Sequence, residues 1–324
     1  MTLLEPGEKM KITKTQLTVV AALVFSLFYT GCAPQTQNSS TNDGEIYSEN
    51  SSNIVGGENA SVTFQKQNGI VALVITSSGL SGGLSICTGT LIEKRIVLTA
   101  AHCLQAPPMT KISKIDVYFT NNIQTNLNLG IVQNSIPADK IAPHADFLKD
   151  ISEDTVNSKP WNDIALIRLK SDAPSTFKMA RLPQASQGLK IIESEKLILS
   201  GFGIATPIVN KTQTNTKSGK VEVVGVHEKS QTSGILRKIE NIPVLKEFNS
   251  DEILLDQSNA TGACHGDSGG PAFLKQANGS LLQVGVTSRG TNSIGNCNEQ
   301  AIYTNVLSHL VWIEKTKKAL TALK

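Results

Sequence analysis

Three residues in separate stretches of this 324-residue chain are of types that together can break acyl bonds. They are Ser268 in GACHGDSGGP (residues 262–271), His102 in LTAAHCL (98–104) and Asp163 in NDIALIRL (162–169). A serine hydroxyl is a weak nucleophile at neutral pH, so its attack on a carbonyl needs a base to take the proton. An imidazole titrates near neutrality and can later return that proton to the departing group. Asp163 stands at the head of an apolar run, a costly place for a carboxylate unless something satisfies it. Taken singly, each residue has a plainer reading: a turn serine, a satisfied core histidine and a strand-capping aspartate.

The elements that would carry these residues are short and rich in Val and Ile. GIVALVIT, SICTGTLI, RIVLTA, IDVYFT, DIALIRL, KLILSGFG, KVEVVGV, LLQVGVTS and AIYTNVL are strand-sized and bounded by Gly, Asn or Ser. Many strands at this spacing predict an all-β barrel or sandwich. Only VLSHLVWIEKTKKALTALK has apolar residues at helical spacing, and Leu307, Leu310, Val311 and Ile313 are expected to form its packed face. Residues 210–234, rich in Thr, Ser, Gly and Lys, are expected to be variable loops. A hydrophobic content of 40% suffices for a core, and a net charge of +3 with scattered basic residues gives no reason to expect nucleic acid.

The N-terminal region has a different character. Lys9, Lys11 and Lys14 precede LTVVAALVFSLFYT (17–30), too short for the ~20 residues of a membrane span, which predicts a signal peptide over residues 1–31. YTGC, ending at Cys32, resembles the bacterial lipobox, in which a cysteine carries lipid, although Tyr29 stands where Leu is usual. An ordinary secretory signal cut nearby is the alternative. Residues 32–53 hold little but polar residues and read as a flexible linker or propeptide, with the folded domain over 54–324.

Taken together, IVGG (54–57), LTAAHC, DIALIRL, GFG (201–203), CHGDSGGP, VTSRG (286–290) and IYTNV (302–306) stand in an order that resembles the chymotrypsin-like (trypsin-type) serine endopeptidases, from Ile54 to about Ile313. The resemblance implies two six-stranded antiparallel β-barrels with the site between them, here followed by a C-terminal α-helix. It implies a catalytic triad of His102, Asp163 and Ser268, in which Asp163 holds the imidazole tautomer. It further implies an oxyanion hole from the N–H groups of Gly266 and Ser268, and Ser288 as a hydrogen-bond partner of Asp163. Five cysteines are present; with Cys32 set aside for lipid, the family pattern pairs Cys87 with Cys103 and Cys264 with Cys297.

In the family, cleavage before the Ile of IVGG frees an amine that pairs with the aspartate before the nucleophile, here Ile54 and Asp267. Asn53 precedes the cut, so the activating protease is not expected to be trypsin-like; an uncleaved first strand at Ile54 is the alternative. The substrate pocket maps onto Gly262, Ala263, His265, Ser288, Arg289, Gly290 and Ala301. Gly262 replaces the aspartate that selects Lys or Arg, so an apolar or aromatic side chain is expected before the scissile bond, with Arg289 and His265 favouring acidic residues near it. His144, His227 and His309 are expected at the surface. YFTNNIQTNLNLG lacks the acidic pair of a calcium loop, and no metal or other cofactor is implied.

The expected partners are protein or peptide substrates, the activator cutting after Asn53, and a membrane through lipidated Cys32. The chain is expected to be exported, tethered at the cell envelope or released, and monomeric. Two function classes stand: an active endopeptidase, and a binding or adhesive lipoprotein that keeps the fold without catalysis.

Overall fold

The computed structural model describes residues 54–322, apart from 81, 107–108, 130–132, 148–159, 207–208, 215–219, 228–231, 260, 292–296 and 298. The segments read as signal and linker, with Cys32 and Asn53, lie outside the described residues.

A short strand β1 (Glu58–Asn59) and helix α1 (Val62–Gln67) lead into the first barrel. Ser61 caps α1 by accepting the Phe64 N–H at 3.1 Å, satisfying one of the donors a helix start leaves open. The barrel is built from β2 (Ile70–Gly79), β3 (Leu84–Glu93), β4 (Ile96–Thr99), β5 (Thr110–Tyr118), β6 (Ser135–Pro143) and β7 (Ala165–Leu169), with α2 (Gln124–Leu129) between β5 and β6. It closes in the order β2-β3-β4-β7-β6-β5, antiparallel throughout.

The second half contains β8 (Lys196–Gly201), a separate hairpin of β9 (Val209–Thr214) and β10 (Val221–His227), then β11 (Arg237–Asn249), β12 (Glu252–Asp256), β13 (Pro271–Lys275), β14 (Leu281–Gly290) and β15 (Gln300–Asn305). The order β11-β12-β15-β14-β13-β8 closes on itself because β8 also pairs with β11, Leu199 opposite Ile239. This is the second six-stranded barrel, and β1 adds to its edge along β11. In the β9–β10 hairpin, β10 is the expected strand KVEVVGV, and β9 adds a strand within the stretch otherwise expected to be loops.

The run IVALVI of β2 is buried without interruption because both of its faces are covered. Val71, Leu73 and Ile75 point into the first barrel's core, while Ile70, Ala72 and Val74 pack with Ile198, Phe202 and Phe273 of the second half. In β8, Leu197 and Leu199 fill the second barrel while Ile198 faces the first. The period of two thus sends alternate residues to a barrel core and to the seam between barrels.

Helix α3 (Leu310–Ala322) closes the chain over the first barrel. Its packed face differs from the expected one: Ile313 and Leu320 are buried, Val311 is 78% exposed, and Leu307 precedes the helix and packs on the second barrel. The start at Leu310 explains this, since residues two apart point about 200° apart around an α-helix. The Arg168 guanidinium donates to the Leu320 carbonyl at 2.7 Å and pairs with Asp139, tying the last turn of α3 to β6 and β7.

Cys87 of β3 and Cys103 are joined by a disulfide across 16 residues of sequence, as are Cys264 and Cys297 across 33. The chain-entropy model assigns the shorter bridge about 3 kcal/mol. Replacing Cys87 and Cys103 together by Ser should lower unfolding stability by about that amount, read from urea titrations of the two proteins under non-reducing conditions.

Candidate active site

Asp163 sits just before β7, only 1% exposed, yet three donors meet its carboxylate. The His102 backbone N–H donates to Oδ1 at 2.9 Å, His102 Nδ1 lies 2.7 Å from Oδ2, and the Ser288 hydroxyl donates to Oδ2 at 2.7 Å. Thr304 of β15 donates to the Asp163 carbonyl at 2.9 Å, so the second barrel holds a residue of the first. Burial pushes the Asp163 carboxyl up, but His102 and Ser288 outweigh it and hold the pKa below the usual value. A carboxylate can only accept, so Nδ1 carries the proton and Nε2 keeps a lone pair, the state a general base needs. Burial lowers the His102 pKa, Asp163 raises it by more, and Arg289 opposes the rise.

Asn162 adopts φ 51°, which turns Asp163 out of the strand direction. Its side chain lies 3.3 Å from Nε2 of His309, whose Nδ1 faces the Asn305 carbonyl at 2.8 Å. His309 was expected at the surface and is instead 4% exposed, supporting the turn that carries Asp163. His144 packs against it, ring centroids 5.6 Å apart, and against Trp312 at 5.0 Å. Both histidines are therefore covered by the start of α3. The His227 side chain lies outside the described residues.

Ser268 is anchored by its backbone: its carbonyl accepts the Thr88 N–H at 2.8 Å and lies 3.6 Å from Cys103 Sγ. His102 Nε2 lies 3.9 Å from the same sulfur. No hydrogen bond joins His102 to Ser268 among the described residues; resting hydrolases often close that contact only on substrate. In the turn before Ser268 the His265 carbonyl accepts the Ile204 N–H at 2.9 Å. A trans peptide sets C=O and N–H on opposite sides, so the Gly266 N–H points away from Ile204. Gly266 has φ +98°, and a Cβ there would lie 2.9 Å from the Gly203 backbone, so both conformation and space require glycine.

Beside Ser268 opens a cavity of about 280 Å³. Of the expected pocket residues, Ala263, His265, Ser288, Arg289, Gly290 and Ala301 line it, and Gly262 does not. The Gly262 N–H bonds the Val55 carbonyl at 2.9 Å, and a Cβ at Gly262 would sit 2.3 Å from the Gln257 side chain. Gln257 went unnoticed in the sequence, where no motif marks it. Its buried amide pairs with both the N–H and carbonyl of Ala263 at 2.9 and 3.0 Å, presenting a neutral group to the cavity.

Arg289, expected to favour acidic residues near the cut, has its charge met by its surroundings. Its guanidinium is bonded at both prongs to Glu252, at 2.6 and 3.1 Å, and lies 3.8 Å from the centre of the Trp161 ring. Glu252 and Trp161 were likewise not singled out, since neither stands in a recognisable pattern. The clusters Cys87, His102, Cys103 and Cys264, His265, Cys297 place ligand-type atoms together, but their sulfurs are oxidised in disulfides.

Ile54 is 1% exposed, and Val55 bridges to Gly262. Asp267 is equally buried, and its carboxylate accepts the N–H groups of Gly203 and Cys264, each at 2.8 Å. Burial outweighs these bonds and lifts its pKa to about 6. The folded uncut chain then binds an extra proton relative to the unfolded chain between about pH 4 and 6, so this group's contribution to stability declines as pH rises through that window. Uncut protein should therefore gain stability relative to Asp267→Asn as pH falls from 7 to 4, measured by denaturant midpoints; parallel midpoints would refute the shifted carboxyl.

Comparisons with known proteins place these features among proteases. The family described as Trypsin matches residues 54–313. The CLIP domain-containing serine protease B15 of Anopheles gambiae is 26% identical over 253 residues, covering 75% of this chain and 64% of that protein. Chymotrypsin of Phaedon cochleariae is 25% identical, covering 70% of this chain and 71% of the beetle protein, and Melanization protease 1 of Drosophila melanogaster is 28% identical, covering 72% and 58%. The chain thus spans less than two thirds of the mosquito relative's length. A solved structure described as HL collagenase superposes with a TM-score of 0.59 at 22% identity, covering 82% of this chain and 99% of that one, a likeness of fold.

Proposed function

Since the chain belongs to the trypsin family of serine proteases, we propose that it is an active serine endopeptidase using His102, Asp163 and Ser268. The observation that carries this reading is the buried Asp163 carboxylate, whose bonds to His102 and Ser288 fix the proton on Nδ1 and leave Nε2 with the lone pair of a base. Ser268 attacks the substrate carbonyl, its proton passes to His102, and the Gly266 and Ser268 N–H groups stabilise the oxyanion. Collapse of that intermediate leaves an acyl-enzyme and protonates the leaving amine; water then repeats the sequence with His102 as base.

The cavity beside Ser268 supports a preference for an apolar or aromatic side chain before the scissile bond. The neutral Gln257 amide lines the cavity, and Gly262 has no room for an added carboxylate. Lys and Arg then lack the buried anion their charge would require.

The precursor reading joins a signal over residues 1–31, a linker over 32–53 and a protease domain over 54–324. Cleavage after Asn53 frees the Ile54 amine to pair with Asp267, which gives a physical reason for so buried a carboxyl. With Cys32 as the membrane attachment, the same cut releases the exported enzyme as a monomer. Cell fractionation should find uncut chain in the membrane and chain beginning at Ile54 in the soluble fraction; Ile54-started protein retained in the membrane would count against the tether.

Digestion of a mixed peptide library by chain beginning at Ile54, read by mass spectrometry, tests the activity. Cuts absent with Ser268→Ala and clustered after apolar or aromatic residues are the expected result. Clustering after Lys or Arg would overturn the pocket assignment. Equal products from wild type and Ser268→Ala, in folded protein with a free Ile54 amine, would favour the non-catalytic binding lipoprotein.

A further inference from the structure

Glu252 opens β12 with its side chain fully out of water, where an unpaired carboxylate is strongly unfavourable. Four donors converge on it. Arg289 Nη1 and Nη2 reach Oε1 and Oε2 at 2.6 and 3.1 Å, Asn249 Nδ2 reaches Oε2 at 2.6 Å, and the Trp161 backbone N–H reaches Oε1 at 3.4 Å. The Trp161 ring, 3.8 Å from the guanidinium carbon, holds that group from its flat side. Arg289 is therefore fixed in direction by a carboxylate and an aromatic face, and its side chain is only 8% exposed.

From this position Nη1 also reaches Ser288 Oγ at 3.4 Å, and Ser288 Oγ lies 2.7 Å from Asp163 Oδ2. A guanidinium can only donate and a carboxylate can only accept. The hydroxyl between them must then accept from Arg289 and donate to Asp163. Every proton along Glu252, Arg289, Ser288, Asp163 and His102 has its direction set.

We propose that Arg289, clamped by Glu252 and Trp161, is a positioning residue for the triad, fixing the Ser288 hydroxyl on Asp163 and through it the orientation of His102. The proposal rests on the triad reading above. It also carries an electrostatic consequence. The charged groups acting on His102 are Asp163, at the head of β7, which favours the imidazolium, and Arg289, on β14, which disfavours it. Its neighbour Cys103 is oxidised and does not titrate. Arg289 thus partly offsets Asp163 and keeps more of the imidazole available as a base on the acid side of neutrality.

The test is steady-state kinetics across pH on a peptide cut by the wild-type enzyme, with three variants. Arg289→Gln isolates the cation, Arg289→Gln with Glu252→Gln removes both charges so that no unpaired carboxylate unfolds the barrel, and Arg289→Lys keeps the charge without the two-pronged geometry. In the double variant kcat should fall about tenfold with KM within about twofold. The acid limb of kcat/KM should move to higher pH in Arg289→Gln, where the cation alone is lost, and by less in the double variant, where the paired charges leave together. Arg289→Lys should retain the wild-type acid limb while kcat stays reduced. A folded double variant with wild-type kcat and an unmoved acid limb overturns the proposal, as does a change confined to KM, which would make Arg289 a wall of the cleft only. Wild-type enzyme with no Ser268-dependent cleavage would sink the triad reading itself, a distinct outcome.

Discussion

One buried negative charge organises this molecule. Asp163 is held in a place where its desolvation would be prohibitive without the donors that meet it. The donors come from widely separated parts of the chain: the backbone and ring of His102, the hydroxyl of Ser288, and Thr304 on the carbonyl behind. Two belong to the second barrel and one to the first, so the charge is satisfied only when the barrels meet correctly. The demand that makes the site costly also makes its geometry definite.

A second carboxyl, Asp267, follows the opposite logic. Backbone donors meet it from two sides, yet burial still dominates and raises its pKa. The two aspartates differ through their surroundings: one has a histidine and a serine bonded to it, the other peptide N–H groups, with the charge of Arg237 adding a smaller stabilisation of the carboxylate. A carboxyl of the second kind, with its pKa raised, gains from a further cation, whereas the first is already held in its charged form.

Much of this was legible in the sequence because chemistry constrains short motifs. The stretches around His102, Asp163 and Ser268 were readable since nearly every residue in them is demanded by a turn, a close approach or a bond. The strands β2, β4, β7 and β8 were readable from their unbroken apolar runs. β6 and β11 escaped notice because they are half exposed and carry Pro137, Pro143 and Pro243, which blur the alternating pattern. Glu252, Trp161 and Gln257 were invisible for another reason: each matters through a partner distant in sequence, or through space left by a glycine, and neither kind of relation leaves a local signature. The histidines near α3 misled because a lone histidine says nothing about burial until the helix start is known.

The double-sided packing of β2 has a consequence for how the chain is made. The first barrel is complete in sequence well before the second half exists, but until β8 and β13 arrive Ile70, Ala72 and Val74 lack the cover that Ile198, Phe202 and Phe273 give them. A nascent or truncated product ending near Leu169 would leave this apolar face only partly covered, with Thr304 missing from behind Asp163. Neither half is therefore an independent building block, and a chain interrupted midway through synthesis is a candidate for aggregation and proteolytic clearance, with no prospect of partial activity.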